Sequence, residues 1–331
     1  MIRRWWPWLR GLIAVGILVV LAWRLGTGAF LDGLRAVGPW SISAALGIGL
    51  LTTALCAWRW CVIARGLGLS LTFGAAVADY YRALLLNAVL PAGVLGDVHR
   101  AVSHGHRCGA LGSGARAVVL ERFAGQLALV AVGAGTMLAG PAVPLDLAPG
   151  RALAIGLLLA GVLGGCLLIP FVRRAVTALW RDARTGLFSR RALLPVAVSS
   201  VAAVAGHLAL FLLAARVAGV QVPIGELLPL LVMALLVMAL PINIGGWGPR
   251  EAFLAVAFAA TGLDPARGLA TSVVYGVLAM IAALPGAVLL LRRRRSARRP
   301  SPDPTPDGVG EAGRLTGGRT RSDGTAVTTH R

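Results

Sequence analysis

Residues 89–101 read VLPAGVLGDVHRA and residues 239–252 read ALPINIGGWGPREA. Each stretch sets a proline, glycines and charged residues into a chain that is otherwise apolar. Arginine suits phosphate because its guanidinium is planar, permanently charged and able to bond two oxygens at once. Asp97, Arg100, Arg250 and Glu251, with Glu121 and Arg122 in LERFAG, are therefore the first candidates for holding an anionic group. Asn87 and Asn243, together with Tyr80 and Tyr81, offer uncharged hydrogen bonds beside the two breaks. Asp97 and Arg100 are three apart, as are Asp79 and Arg82, so each pair can neutralise itself on one helical face. Arg250 and Glu251 are adjacent and face different directions, so each is expected to have another partner. The plainer reading of these charges is structural pairing. Pro91, Gly93, Gly96, Pro241, Gly245, Gly246 and Gly248 are expected to serve the backbone, through sharp turns and close approach.

The elements that must position these residues follow from composition. Of 331 residues, 57% are hydrophobic and only 14% charged, and the mean hydropathy is +0.79. That excludes an ordinary soluble domain and indicates an all-α polytopic membrane protein. Apolar runs long enough to cross a hydrocarbon core, about 20 residues as helix, lie near 9–30, 40–63, 116–139, 151–171, 193–217 and 268–291. The first has a basic start, but no small-residue cleavage site follows it, so a retained helix is expected rather than a cleaved signal.

Net charge is +19, and all 32 basic residues are arginine. They gather at helix ends: Arg3, Arg4 and Arg10 before the first run, six between 172 and 192, and RRRRSARR after the last. This distribution argues for membrane topology and against nucleic acid, with the three clusters and both termini expected in the cytoplasm. The tail 293–331 is basic, rich in Pro, Gly, Ser and Thr, and expected to be disordered, leaving 1–292 as the membrane domain.

With those sides assigned, residues 73–97 cannot be a single crossing. They must enter and return on one face, or else make two very short crossings. The same holds for 226–262. Pro91 and Pro241, Gly96 and Gly246, and Arg100 and Arg250 are each 150 residues apart, and the same offset carries one flanking run onto the next. The expected architecture is therefore six transmembrane helices and two re-entrant broken hairpins, in two units of about 40–139 and 193–291 with inverted topology. Non-helical backbone at that depth must be buried in protein or line a wet cavity.

Other chemistry is poorly supported. His99, His104, His106 and Cys108 are metal-ligand types, but interleaved arginines make a headgroup-facing basic loop the better reading, so no metal is expected. Cys56, Cys61 and Cys166 lie in apolar runs and suggest no disulfide. Nucleotide, hydrolase and metalloprotease motifs are missing, and neither catalysis nor a cofactor is expected.

RALLLNAVLPAGVLGDVHRA, VVLERFAGQLALV and LPINIGGWGPREA resemble the three motif regions of the lysylphosphatidylglycerol synthase transmembrane-region family, over about residues 10–292. The resemblance implies a plasma-membrane protein that moves or handles anionic or modified lipids or lipid-linked precursors. It implies membrane lipids as partners and a separate lipid-modifying enzyme, since the tail is too short for a synthase domain. Its motif residues carry over onto Asn87, Pro91, Gly96, Asp97, Arg100, Glu121, Arg122, Pro241, Gly246, Gly248, Arg250 and Glu251. The alternatives to a flippase-like transporter are a small polar-solute carrier, a membrane-embedded glycosyl or lipid transferase, and an assembly partner of one.

Overall fold

Helix α1 (Pro39–Gly66) begins where Pro39 fixes the backbone at its first position and Ser41 exchanges hydrogen bonds with Gly38, whose N–H it accepts at 3.1 Å. It continues for 28 residues with apolar side chains all round, as expected of a helix set between lipid and protein. A computed structural model describes residues 35–89, 95–139, 170–238 and 247–297. The run expected at 9–30, that expected at 151–171 up to residue 169, residues 90–94 and 239–246, and the tail beyond 297 lie outside these residues.

After α1 come α2 (Phe73–Val89) and α3 (Leu95–Arg107), the two limbs around the first break, and then the long α4 (Leu111–Ala139). The order recurs as α6 (Arg190–Val217), α7 (Ile224–Met238), α8 (Pro249–Ala260) and α9 (Pro265–Ala283). α6 matches α1 in length, 28 residues, and is capped by Ser189, whose hydroxyl accepts from Ala192 N–H at 3.3 Å. Asp264 caps α9 in the same way at 2.9 Å. Four segments among the described residues are long and apolar enough to cross a membrane: Pro39–Gly66, Leu111–Thr136, Arg190–Val217 and Pro265–Leu291. They coincide with four of the expected spans. The last contains a break, because Pro285 has no N–H to continue α9 and starts α10 (Pro285–Ala297).

The stretch from 172 to 192, read as a basic link, is largely helical: α5 (Pro170–Gly186) is amphipathic. Ala183 and Leu187 pack with Ile63, Leu120 and Val196, while Arg181, Arg184 and Trp180 stay exposed. Arg116 on α4 holds α5 through the Asp182 carboxylate.

The most extensive packing joins α1 to α6. Small residues allow it: Gly206 leaves no room for a Cβ against the Thr52 hydroxyl, and a Cβ on Gly49 would sit 2.5 Å from that of Ala282 on α9. One apolar core lies among α6, α7, α8 and α9. A smaller one lies among α1, α2 and α4. Leu50, Leu51, Val130, Val198 and Val256 remain exposed, as a lipid-facing surface requires.

Candidate functional site

The hairpin of α2 and α3 closes at its inner end by a specific device. Asn87, in the last turn of α2, accepts the Gly96 N–H at 2.7 Å through Oδ1 and donates to Asp97 Oδ2 at 3.2 Å through Nδ2. Gly96 presses so closely on the Ala83 backbone that no side chain fits there. Pro91 and Gly93 lie outside the described residues.

This closure aims the Asp97 and Arg100 side chains at α4. Arg100 is fully buried, and its Nη2 donates to Glu121 Oε2 at 2.7 Å and to Asp97 Oδ1 at 3.2 Å. Its guanidinium lies 4.7 Å from the Trp60 ring centroid and 4.2 Å from that of Tyr80. Two aromatic faces therefore replace water around a cation, a favourable arrangement once desolvated. Arg122 donates to Asp97 Oδ2 at 2.5 Å from a half-exposed position.

Glu121, also fully buried, accepts from the Tyr80 hydroxyl at 3.0 Å and from Arg59 Nε at 3.0 Å, with Arg59 Nη2 on the same oxygen. Arg59 then reaches across to α6, where Nη1 donates to Ser200 Oγ at 3.1 Å. The sequence reading overlooked Arg59. Its signal was nonetheless present: an arginine in the middle of an apolar run is costly unless it faces the bundle. The cluster holds three guanidiniums (Arg59, Arg100, Arg122) and two carboxylates (Asp97, Glu121), a surplus of one positive charge.

The second hairpin is built differently. Gly248, with φ of 104°, caps α8 in a backbone conformation that favours glycine, and its N–H donates to Glu251 Oε2 at 2.6 Å. That turn folds the Glu251 side chain back over the first turn of the helix. Arg250 Nη2 meets it, donating to Oε1 at 2.5 Å, so the expectation that these neighbours face apart is corrected by the capping geometry. Arg250 also donates through Nε to Ser272 Oγ at 2.7 Å and through Nη2 to the Ser272 carbonyl at 2.9 Å. Ser272 in turn donates to Glu251 Oε1 at 3.0 Å. Trp247 and Tyr275 flank the guanidinium at 5.5 and 5.0 Å, and Tyr275 stacks on Phe211 at 4.0 Å. Here one cation meets one carboxylate. Arg100 and Arg250 share no hydrogen-bond partner among the described residues. Asn243, Pro241, Gly245 and Gly246 lie outside them.

At the far end of the first hairpin, Asp79 accepts from Arg82 at 2.8 Å and from Arg107. His104 is buried edge-on against Trp60 with ring centroids 5.2 Å apart, and its Nδ1 is 3.8 Å from Cys108 Sγ. Among the described residues no three of His, Cys, Asp and Glu gather in a way that could hold a metal ion.

Comparison with known protein families matches residues 8–286 to the family described as the lysylphosphatidylglycerol synthase TM region. No curated protein and no solved structure matches the chain.

Proposed function

The chain belongs to the lysylphosphatidylglycerol synthase transmembrane-region family, and from that premise we propose that this multi-pass membrane protein is a flippase-like transporter. Its cargo is an anionic phospholipid, modified lipid or lipid-linked precursor, and its setting is the plasma membrane with both termini cytoplasmic. The observation that carries the reading is the charge surplus at the first hairpin. Three guanidiniums share two carboxylates at a place where Arg100 and Glu121 are both fully buried. The surplus falls to the half-exposed Arg122, beside Arg59, Arg100, Asp97 and Glu121, which balance one another, and an anionic headgroup supplies its countercharge.

In this reading Arg100 contacts the phosphate, Glu121 and Asp97 hold the arginine when no headgroup is present, and Arg59 and Tyr80 fix Glu121. Asn87 sets the hairpin so that Asp97 points at Arg100 and Arg122. The fully bonded Arg250 and Glu251 brace the second hairpin. Acyl chains remain in lipid while the headgroup passes through the polar interior.

The test uses liposomes containing the purified protein and a trace of fluorescent lipid, with dithionite quenching the outer leaflet. Protein-dependent loss of protection for a phosphatidylglycerol probe, beyond that of a phosphatidylcholine probe, is the expected result. Equal behaviour of both probes in protein-containing and protein-free vesicles would end the proposal.

A further inference from the structure

The function above draws on the inner end of α3 and leaves the other end unexplained. Arg100, His104 and Arg107 recur at i, i+4 and i+7, which puts them on one face of that helix. At 1.5 Å per residue the first and last are about 10 Å apart along the axis. Arg107 has 44% of its side chain exposed, whereas His104 and Arg100 are fully buried, so the row leads from the surface inward.

At its outer end the buried Asp79 carboxylate is shared by two guanidiniums, Arg82 and Arg107, again leaving one positive charge over. Between the two ends, Trp60 touches both His104 and Arg100 with its ring. Arg82 Nε, His104 Nε2, Trp60 Nε1 and Arg100 Nε and Nη1 are all buried and have no hydrogen-bond partner among the described residues. Isolated cases of that kind are uncommon, because an unpaired buried polar group costs free energy. Here five of them belong to side chains linked one to the next, Arg82 to Arg107 through Asp79 and His104 to Arg100 through the Trp60 ring, with a cationic surplus at each end, which is the chemistry of a path for a hydrogen-bond-accepting anion.

We propose that Arg82, His104 and Arg107 form an outer station for a phosphate-type oxyanion, from which the group passes along α3 to Arg100. This rests on the reading of the Arg100 cluster as the headgroup site. Asp79 takes one outer guanidinium on each carboxylate oxygen, through one nitrogen of each, so that each keeps N–H groups for the ligand. The ligand chemistry is a phosphate group, whether on a lipid headgroup or free in solution.

Phenylglyoxal, which modifies accessible guanidiniums, tests the station directly on the full chain in phosphatidylcholine nanodiscs. Peptide mass spectrometry follows Arg107, with the exposed Arg184 as the reference for general ionic effects. One arm adds inorganic phosphate; the other replaces part of the lipid by phosphatidylglycerol and follows Arg107 alone. Mass action predicts that a ligand at several times its Kd slows modification of Arg107 about fivefold. Protection by phosphate itself supports the station for the oxyanion in general, and protection only by phosphatidylglycerol supports it for the lipid headgroup. In the protective arm, His104→Gln should return the rate most of the way to the unprotected value. An Arg107 unprotected in both arms, or an Arg184 slowed as much as Arg107 by phosphate, overturns the proposal. Protection requires no lipid to cross the bilayer. Intact protection without flipping therefore fails the transport reading alone, and flipping without protection fails only the outer station.

Discussion

Arg100 and Glu121 lie 21 positions apart on different helices, yet Arg100 Nη2 donates to Glu121 Oε2 at 2.7 Å with neither side chain exposed. That bond joins α3 to the long apolar α4, and Glu121 is also where Arg59 and Tyr80 converge. Stability and the proposed binding chemistry meet at this carboxylate.

Removing Glu121 should therefore be severe. Glu121→Ala leaves Arg59 and Arg100 as buried cations without their main partner, and breaking such a pair costs about 3–5 kcal/mol. Thermal unfolding in detergent should show a large loss for this variant. A near-native midpoint would mean that the buried cations have other adequate partners.

Arg59 on α1 donates to Ser200 on α6. A double-mutant cycle with Arg59→Met and Ser200→Ala should give a coupling of about 1.5–3 kcal/mol, typical of a hydrogen bond to a charged group. Additive effects would show that the contact contributes nothing to stability.

The surroundings of His104 set the sign of an expected pH dependence. Burial first, then the neighbouring Arg107 and Arg100 charges, hold its imidazole below the ordinary 6.5, against an opposing pull from Asp79; Trp60 and Cys108 also face it. A histidine whose folded value is lowered contributes stability present above 6.5 and lost as the pH falls below it. Unfolding midpoints of the wild type should fall more steeply between pH 7 and pH 5 than those of His104→Gln. Parallel curves would remove His104 as the source.

The hairpins predict a labelling pattern. In a background with the native cysteines changed to alanine, Ser70→Cys and Arg184→Cys should react from one side of the membrane. Gln221→Cys and Asp264→Cys should both react from the other; all four positions are exposed or partly so. Reaction of Gln221→Cys and Asp264→Cys from opposite sides would make α7 and α8 a true crossing.

Much of this arrangement was legible in the residues. Four apolar runs became four long helices because hydrophobicity and length are local properties, and Pro and Gly in 89–101 and 239–252 marked where α2 gives way to α3 and α7 to α8. Asp97 with Arg100 was visible from helical spacing. The contact of Arg100 with Glu121 was not, since no local pattern encodes which faces of α3 and α4 meet. The pairing of Arg250 with Glu251 was hidden because helical geometry sends neighbours apart, and only the capping turn at Gly248 brings them together. Arg59 was missed when arginines were read as markers of helix ends.

The central claim is that the first hairpin binds an anion and the second does not, and one pair of variants tests it most directly. Arg100→Gln leaves Arg59 and Arg122 against Asp97 and Glu121, a balanced set, so the protein should fold and lose most of its transport of fluorescent phosphatidylglycerol. Arg250→Gln leaves Glu251 buried without its cation, so its damage should appear as lost stability, by about 3–5 kcal/mol. Measuring flipping rate and unfolding midpoint for both variants in the same liposome and detergent preparations separates the two roles. A folded Arg100→Gln protein that moves phosphatidylglycerol at the wild-type rate would contradict the account.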